Sequence, residues 1–157
     1  MKKQTGFTII ELIVTLAMVA ILAGFAVPAL QDLISNNRST AQANSFLTAL
    51  TLARSEAIKR RESVSVVAAD DSSGTNEWGP GWEIQDSAGN PIRVFEATTG
   101  STLDSQDDVS SVSFDLNGMA TSSLKFELMP DNNDTEFARC IEMTKTGRAA
   151  VQHGACS

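Results

Sequence analysis

Tyrosine is absent from the 157 residues, histidine occurs only as His153, and cysteine only as Cys140 and Cys156. These scarcities remove whole classes of chemistry. A histidine-activated nucleophile, a metal cage or a phosphate-binding loop would each need partner residues that this chain does not carry. Cations are scarce in the middle of the chain. From position 64 to 137 only Arg93 and Lys125 stand against fourteen acids, a balance of −12 within an overall −7. Such a surface repels nucleic-acid phosphates. The acidic groups do not form a metal motif either. Asp70-Asp71, Asp107-Asp108 and Asp131-Asn132-Asn133-Asp134 lack the central glycine and closing glutamate of a calcium loop and read as solvated loops. No cofactor and no metal is expected, and the chain reads as a protein without catalytic function. There is no internal repeat, and the length suits one soluble domain of about a hundred residues.

What the chain does have is one long apolar run at its start. Residues 12–30 contain Thr15 as their only polar side chain. As a helix rising ~1.5 Å per residue, that run spans most of a ~30 Å hydrocarbon layer. Lys2 and Lys3 precede it and bias the N-terminus toward the cytoplasm. Glu11 sits at its mouth, where a carboxylate costs roughly 2–4 kcal/mol and usually marks function. A plain anchor does not account for Glu11. An ordinary signal peptide, cut after Ala26 within Gly24-Phe25-Ala26 to release a soluble periplasmic domain, accounts for neither Glu11 nor Pro28 just beyond the cut.

The lysine leader, Gly6, Phe7 and Glu11 four residues further on resemble the leader of type IV pilins and type II secretion pseudopilins. That resemblance implies cleavage between Gly6 and Phe7 by a membrane-embedded prepilin peptidase, N-methylation of Phe7, and a helix kink at Pro28. Physical chemistry fits the pattern. Gly6 lets an enzyme approach the backbone closely. The freed amine of Phe7 in one subunit and Glu11 of a neighbour would neutralise each other, fixing axial register, because an unpaired charge in apolar surroundings is penalised by several kcal/mol.

Beyond the run, residues 31–61 keep a helical period but become amphipathic. Phe46, Leu50, Ala53 and Ala57 share a stripe flanked by Leu47 and Ile58, and Glu56 and Arg60 are spaced for an i,i+4 pair. The reading is one helix from about Thr8 to about Arg61, the alternative being two helices with a linker at Ser35–Ser39. After Arg61 the period changes to alternation. Strands are expected at 63–67, 82–85, 92–95, 109–114, 124–128, 137–143 and 149–152. Residues 82–95 form a hairpin, residues 98–108 an acidic loop, and Asn117-Gly118 joins two strands. In the last hairpin, a turn centred between Thr146 and Gly147 sets Cys140 opposite His153. Cys156 closes a disulfide with Cys140 once the tail bends at Gly154, both thiols lying on the oxidising side of the membrane.

The helix end from Leu52 to Arg60, Gly81-Trp82-Glu83-Ile84, and the hairpin Cys140…Gly147-Arg148…Cys156 are similar to the GspH/FimT family of minor pseudopilins and minor pilins. The resemblance implies an α+β fold with a long N-terminal helix packed on an antiparallel β-sheet domain. It divides the chain into a cleaved leader (1–6), a membrane and filament-core helix (7–30), the amphipathic half of that helix (31–62) and a periplasmic β domain (63–157). The implied role is structural. The chain would sit in the inner membrane, or near a filament tip, and prime assembly with other minor and major subunits. Some members bind DNA through a Gly-Arg-x-Arg turn. Here Gly147, Arg148, Ala149 and Ala150 match without the second arginine, leaving Lys145 and Arg139 as partial substitutes and an exposed hairpin turn as the preferred reading.

Overall fold

The computed structural model describes residues 7–70 and 76–157. Gly6, the leader lysines and Asp71 lie outside the described residues. One helix, α1, runs Ile9–Arg60 over 52 residues and contains Pro28. Thr8 caps it. The Glu11 amide donates to the Thr8 hydroxyl at 3.3 Å, so Thr8 and Glu11 occupy the N-cap and N3 positions of a capping-box sequence. At the other end Arg61 takes a left-handed conformation, φ 56°, which stops the helix. The expected Glu56–Arg60 pair is present, with Nε to Oε2 at 2.7 Å.

The chain divides into two compact units, Met1–Asn36 and Asn37–Ser157. In the first, the apolar side chains from Phe7 to Ile34 are all exposed, and Thr15 donates its hydroxyl to the Leu12 carbonyl at 2.8 Å, the internal bonding a polar group needs in an apolar medium.

The second unit holds the core. The helix buries Ser39, Ala43, Phe46, Ala49, Leu50, Ala53 and Ala57, a stripe at three- and four-residue spacing. Eight strands follow: β1 Val64–Ala68, β2 Trp82–Gln85, β3 Pro91–Phe95, β4 Ser101–Ser105, β5 Ser111–Phe114, β6 Leu124–Pro130, β7 Arg139–Met143 and β8 Ala149–His153. They make two antiparallel four-stranded sheets, ordered β3-β2-β1-β5 and β4-β6-β7-β8. The chain leaves the first sheet after β3, contributes β4 to the second, and returns for β5.

Two expectations need correction. Residues 98–108 are not simply a loop, because β4 lies within them and pairs with β6 along its whole length. Its buried positions are Ser101, Leu103 and Ser105, so polar residues on the inward face hide the alternation. The hydroxyls are satisfied inside the fold; Ser105 Oγ accepts from the Val109 amide at 2.7 Å. Asn117-Gly118 lies in the connection between β5 and β6, as expected; a Phe114–Ala120 bridge closes the turn, and the two strands belong to different sheets. Second, the last hairpin is shifted by one residue. Cys140 pairs with Gln152, and Arg139 with His153. Gly147 causes the shift. It adopts φ 73° and donates to the Thr144 carbonyl, while Thr144 donates to Arg148, making a three-residue loop with a bulge in place of a two-residue turn.

The core centres on Phe46. Its ring meets Trp78, Trp82 and Phe126 edge-on at centroid distances of 5.2, 5.1 and 4.9 Å. Both tryptophans are therefore core residues, and the Trp78 indole donates to the Val109 carbonyl at 2.8 Å. Leu50 and Ala57 of the expected stripe are buried, and so are the strand residues Val64, Val66, Phe114 and Phe126.

Candidate functional site

Four features bear on function. The first is the N-terminal turn. Phe7 is 82% exposed, and Glu11 lies in the first turn of α1, where the helix dipole favours a carboxylate. Pro28 lies further along, and the helix continues on both sides of it.

The second feature is the closed tail. Cys140 and Cys156 form a disulfide with their Cα atoms 5.0 Å apart. The tail folds back as expected, with the Gly154 amide donating to Ala138 at 2.9 Å and the Cys156 amide to Glu127 Oε2 at 3.2 Å.

The third feature is the end of the domain where α1 stops. There the Asp115–Met119 turn and the Thr144–Arg148 turn interlock. The Ala120 amide donates to Lys145 at 3.0 Å, and Arg54 Nε donates to the Gly118 carbonyl at 2.9 Å. Gly147 packs so closely that a Cβ there would strike the Gly118 oxygen and the Arg54 side chain. Arg148 and Lys145 are exposed here. Arg139 does not join them. Strand β7 carries it to the opposite end of the hairpin, where it is 5% exposed, donates to Ala138 and Thr40, and has its pKa lowered by burial. Arg54, ninety-three positions before Gly147, joins Lys145 at this turn and packs directly on Gly147. Nothing in local sequence announces that neighbour.

The fourth feature is a group of carboxylates also missed by sequence spacing. Glu77, Asp104 and Asp108 bring carboxylate oxygens within 4.8 Å of one another, a separation at which such groups share a proton or hold a cation. Burial and then the hydrogen bond and charge of Glu77 push Asp104 up to about 7. The three come from a loop, a strand and the loop after it, so only the fold assembles them. Beside the first sheet, a groove of about 710 Å³ runs along β1 to β3, lined by Val67, Pro80, Val94 and Phe95 together with Glu83 and Glu96, and Glu83 pairs across the sheet with both Val67 and Val94.

A long apolar-to-amphipathic helix feeding two antiparallel sheets, with a disulfide closing the last hairpin, defines a pilin-like protein. A family model described as "Prokaryotic N-terminal methylation motif" matches residues 1–27. A second, "Type II transport protein GspH", matches residues 42–147. The chain belongs to the GspH family, a family of minor pilins and pseudopilins. It is similar in fold to the type IV minor pilin FimU of Pseudomonas aeruginosa, with a TM-score of 0.64 and 23% identity over 74% of this chain and 89% of that one. The minor pseudopilin EpsH of the Vibrio cholerae type 2 secretion system matches with a TM-score of 0.56 and 14% identity over 74% and 97% of the two chains. A "Fimbrial protein" of P. aeruginosa is 35% identical over 71 residues, 45% of this chain and 46% of the relative. "Fimbrial protein Q" of Moraxella bovis is 50% identical over 40 residues, 26% of each. The chain thus spans about half or less of these curated relatives.

Proposed function

We propose that this chain is a minor pilin or pseudopilin, a structural subunit that primes or caps an inner-membrane-anchored filament. In this reading prepilin peptidase cuts between Gly6 and Phe7, Phe7 is N-methylated, and residues 7–30 serve as anchor and filament core. The domain from about residue 63 lies in the periplasm, and the partners are other minor and major subunits. The role is assembly, with no catalytic step assigned to any residue. One observation carries the reading: a methylation motif over 1–27 and a GspH domain over 42–147 are joined by a single helix, Ile9–Arg60. A free apolar helix face supports it, since a helix hydrophobic all round and unburied within its own chain needs lipid or other helices as surroundings.

The decisive measurement is mass spectrometry of the N-terminus of the protein recovered from membranes. The expected species begins with N-methylated Phe7. A chain beginning at Val27 would remove the anchor and, with it, the filament role.

A further inference from the structure

The edge strands of the two sheets are β3 and β5 in one, β4 and β8 in the other. Among the described residues, the first three are closed to further pairing. Along β4, the Leu103 amide donates to Asn76 Oδ1 at 2.9 Å and the Leu103 carbonyl accepts from the Trp78 amide at 3.2 Å. Along β5, the Ser113 carbonyl accepts from the Thr121 amide at 3.2 Å, and Phe114 bridges to Ala120. Strand β3 opens with Pro91, carries Arg93 and meets a register shift between Ile84 and Gln85 of β2. Cover, proline, charge and bulges are the devices by which sheet edges avoid pairing.

Strand β8 uses none of them. Ala149-Ala150-Val151-Gln152-His153 contains no proline and no lysine, arginine, aspartate or glutamate, and β7 is its only strand partner. The bonds at its two ends fix which backbone groups face outward. The Thr144 amide donates to the Arg148 carbonyl, and the Gly154 amide to the Ala138 carbonyl, each at 2.9 Å. In the register of this hairpin, Arg148, Ala150, Gln152 and Gly154 therefore turn their backbone groups toward β7. Ala149, Val151 and His153 turn theirs to the open edge, each offering one N–H and one C=O. The side chains of Ala149 and Val151 rest partly on the core, while Ala150, Gln152 and His153 are exposed. A terminal strand ordinarily frays. This one is held at its end by the Gly154 bond and the Cys140–Cys156 disulfide.

We propose that β8 is a docking edge on which an extended segment of a different filament subunit adds to the second sheet, with apolar residues beside Ala149 and Val151 and a carboxylate beside the exposed Arg148. The inference rests on the filament reading above and names a surface for the partners it assigns. Pairing along one short strand is too little to hold two free molecules together, because association must offset lost translational freedom. It is enough where apolar helices already keep both partners side by side, since the added contact is then effectively intramolecular. A second copy of this chain fits less well. Two β8 strands running antiparallel about Val151 set Arg148 against Gly154, and in parallel register Arg148 meets Arg148, so neither arrangement supplies the carboxylate.

The test is amide-resolved hydrogen exchange on the full chain, once alone in uncharged detergent micelles and once in filaments sheared from cells. Alone, the Ala149, Val151 and His153 amides should exchange freely and those of Ala150 and Gln152 slowly. In filaments the first three should slow about tenfold or more with the other two little changed, an alternation that general burial does not produce. Val151→Pro and His153→Pro each remove an outward N–H that β7 does not use. Both variants should keep the disulfide and the urea midpoint, yet reduce the slowing at the remaining outward amides to less than about twofold. Arg148→Glu should reduce it through charge alone. Outward amides that stay fast in filaments, or slowing of all these amides alike, would overturn the contact. The same slowing in micelles of the chain alone as its concentration rises would assign the edge to a second copy and overturn it too, as would slowing on addition of a short DNA duplex alone. If the outward amides stay fast while Phe7 is N-methylated, the contact falls and the filament role stands. A mature chain beginning at Val27 would remove both.

Discussion

Arg54 Nε lies 2.9 Å from the carbonyl oxygen of Gly118, and that bond ties the last turns of α1 to the Asp115–Met119 turn. Gly147 rests against both partners. Three segments far apart in sequence are thus locked at one end of the domain, which makes this junction sensitive to single atoms.

Gly147→Ala would introduce a methyl group where the Gly118 oxygen already lies, at a backbone angle of 73° that favours glycine. The expected loss is at least ~1 kcal/mol, beyond the ordinary glycine-to-alanine effect. A urea titration reads it as a lower midpoint with an unchanged slope. Arg54→Ala should lose about 1 kcal/mol for one hydrogen bond.

Phe46→Ala removes the ring around which Trp78, Trp82 and Phe126 are arranged. The cavity should cost ~3–5 kcal/mol. Near-ultraviolet circular dichroism should lose the tryptophan signal well before the helix signal of α1 fades.

Stability should fall as pH rises from about 4 toward 7. Asp104 is raised from the usual carboxyl value to about 7, so between the two values the folded state holds a proton that the unfolded chain has released. The contribution is fully present below the unfolded pKa and lost through the folded one. Asp86 and Asp115 act in the opposite sense, since hydrogen bonds hold both below their ordinary values and their help fades at low pH. Melting temperature against pH for the wild type and Asp104→Asn separates the two. The variant should flatten the decline between pH 5 and 7, and an unchanged profile would remove Asp104 from the account.

Reducing the Cys140–Cys156 bond, or replacing both residues by serine, should cost ~3 kcal/mol for a loop of this size, in the chain-entropy model. The effect should begin at the tail. Hydrogen exchange over residues 151–157 should accelerate more than over β7.

Glu11 has a local role beside the proposed pairing with Phe7 of a neighbour, because its first-turn position favours a carboxylate and its amide is capped by Thr8. Glu11→Gln keeps the size and the capping geometry but drops the charge. Incorporation into sheared filaments should fall sharply while membrane content stays constant. Equal incorporation would confine Glu11 to the cap.

The sequence by itself determined the parts whose forces are local or periodic. A nineteen-residue apolar run, a glycine-phenylalanine-glutamate spacing and a 3.6-residue stripe at Phe46, Leu50 and Ala57 each act on their own neighbours, so the helix and its buried face were readable before any fold. The hairpin of β2 and β3 was readable too, because Asp86 and Asn90 make the turn themselves. Tertiary structure alone decided the rest. β4 has one apolar residue in five and becomes a strand only because β6 lies alongside it. Arg139 and Arg148 are nine positions apart in one hairpin, yet extended chain takes them to opposite ends, one buried beside Thr40 and one in solvent. Arg54 reaches the Gly147 turn, and Glu77 reaches Asp104, only when the helix and both sheets close around Phe46. Contacts between distant segments depend on the packing of the whole core, and no short window of residues contains that information.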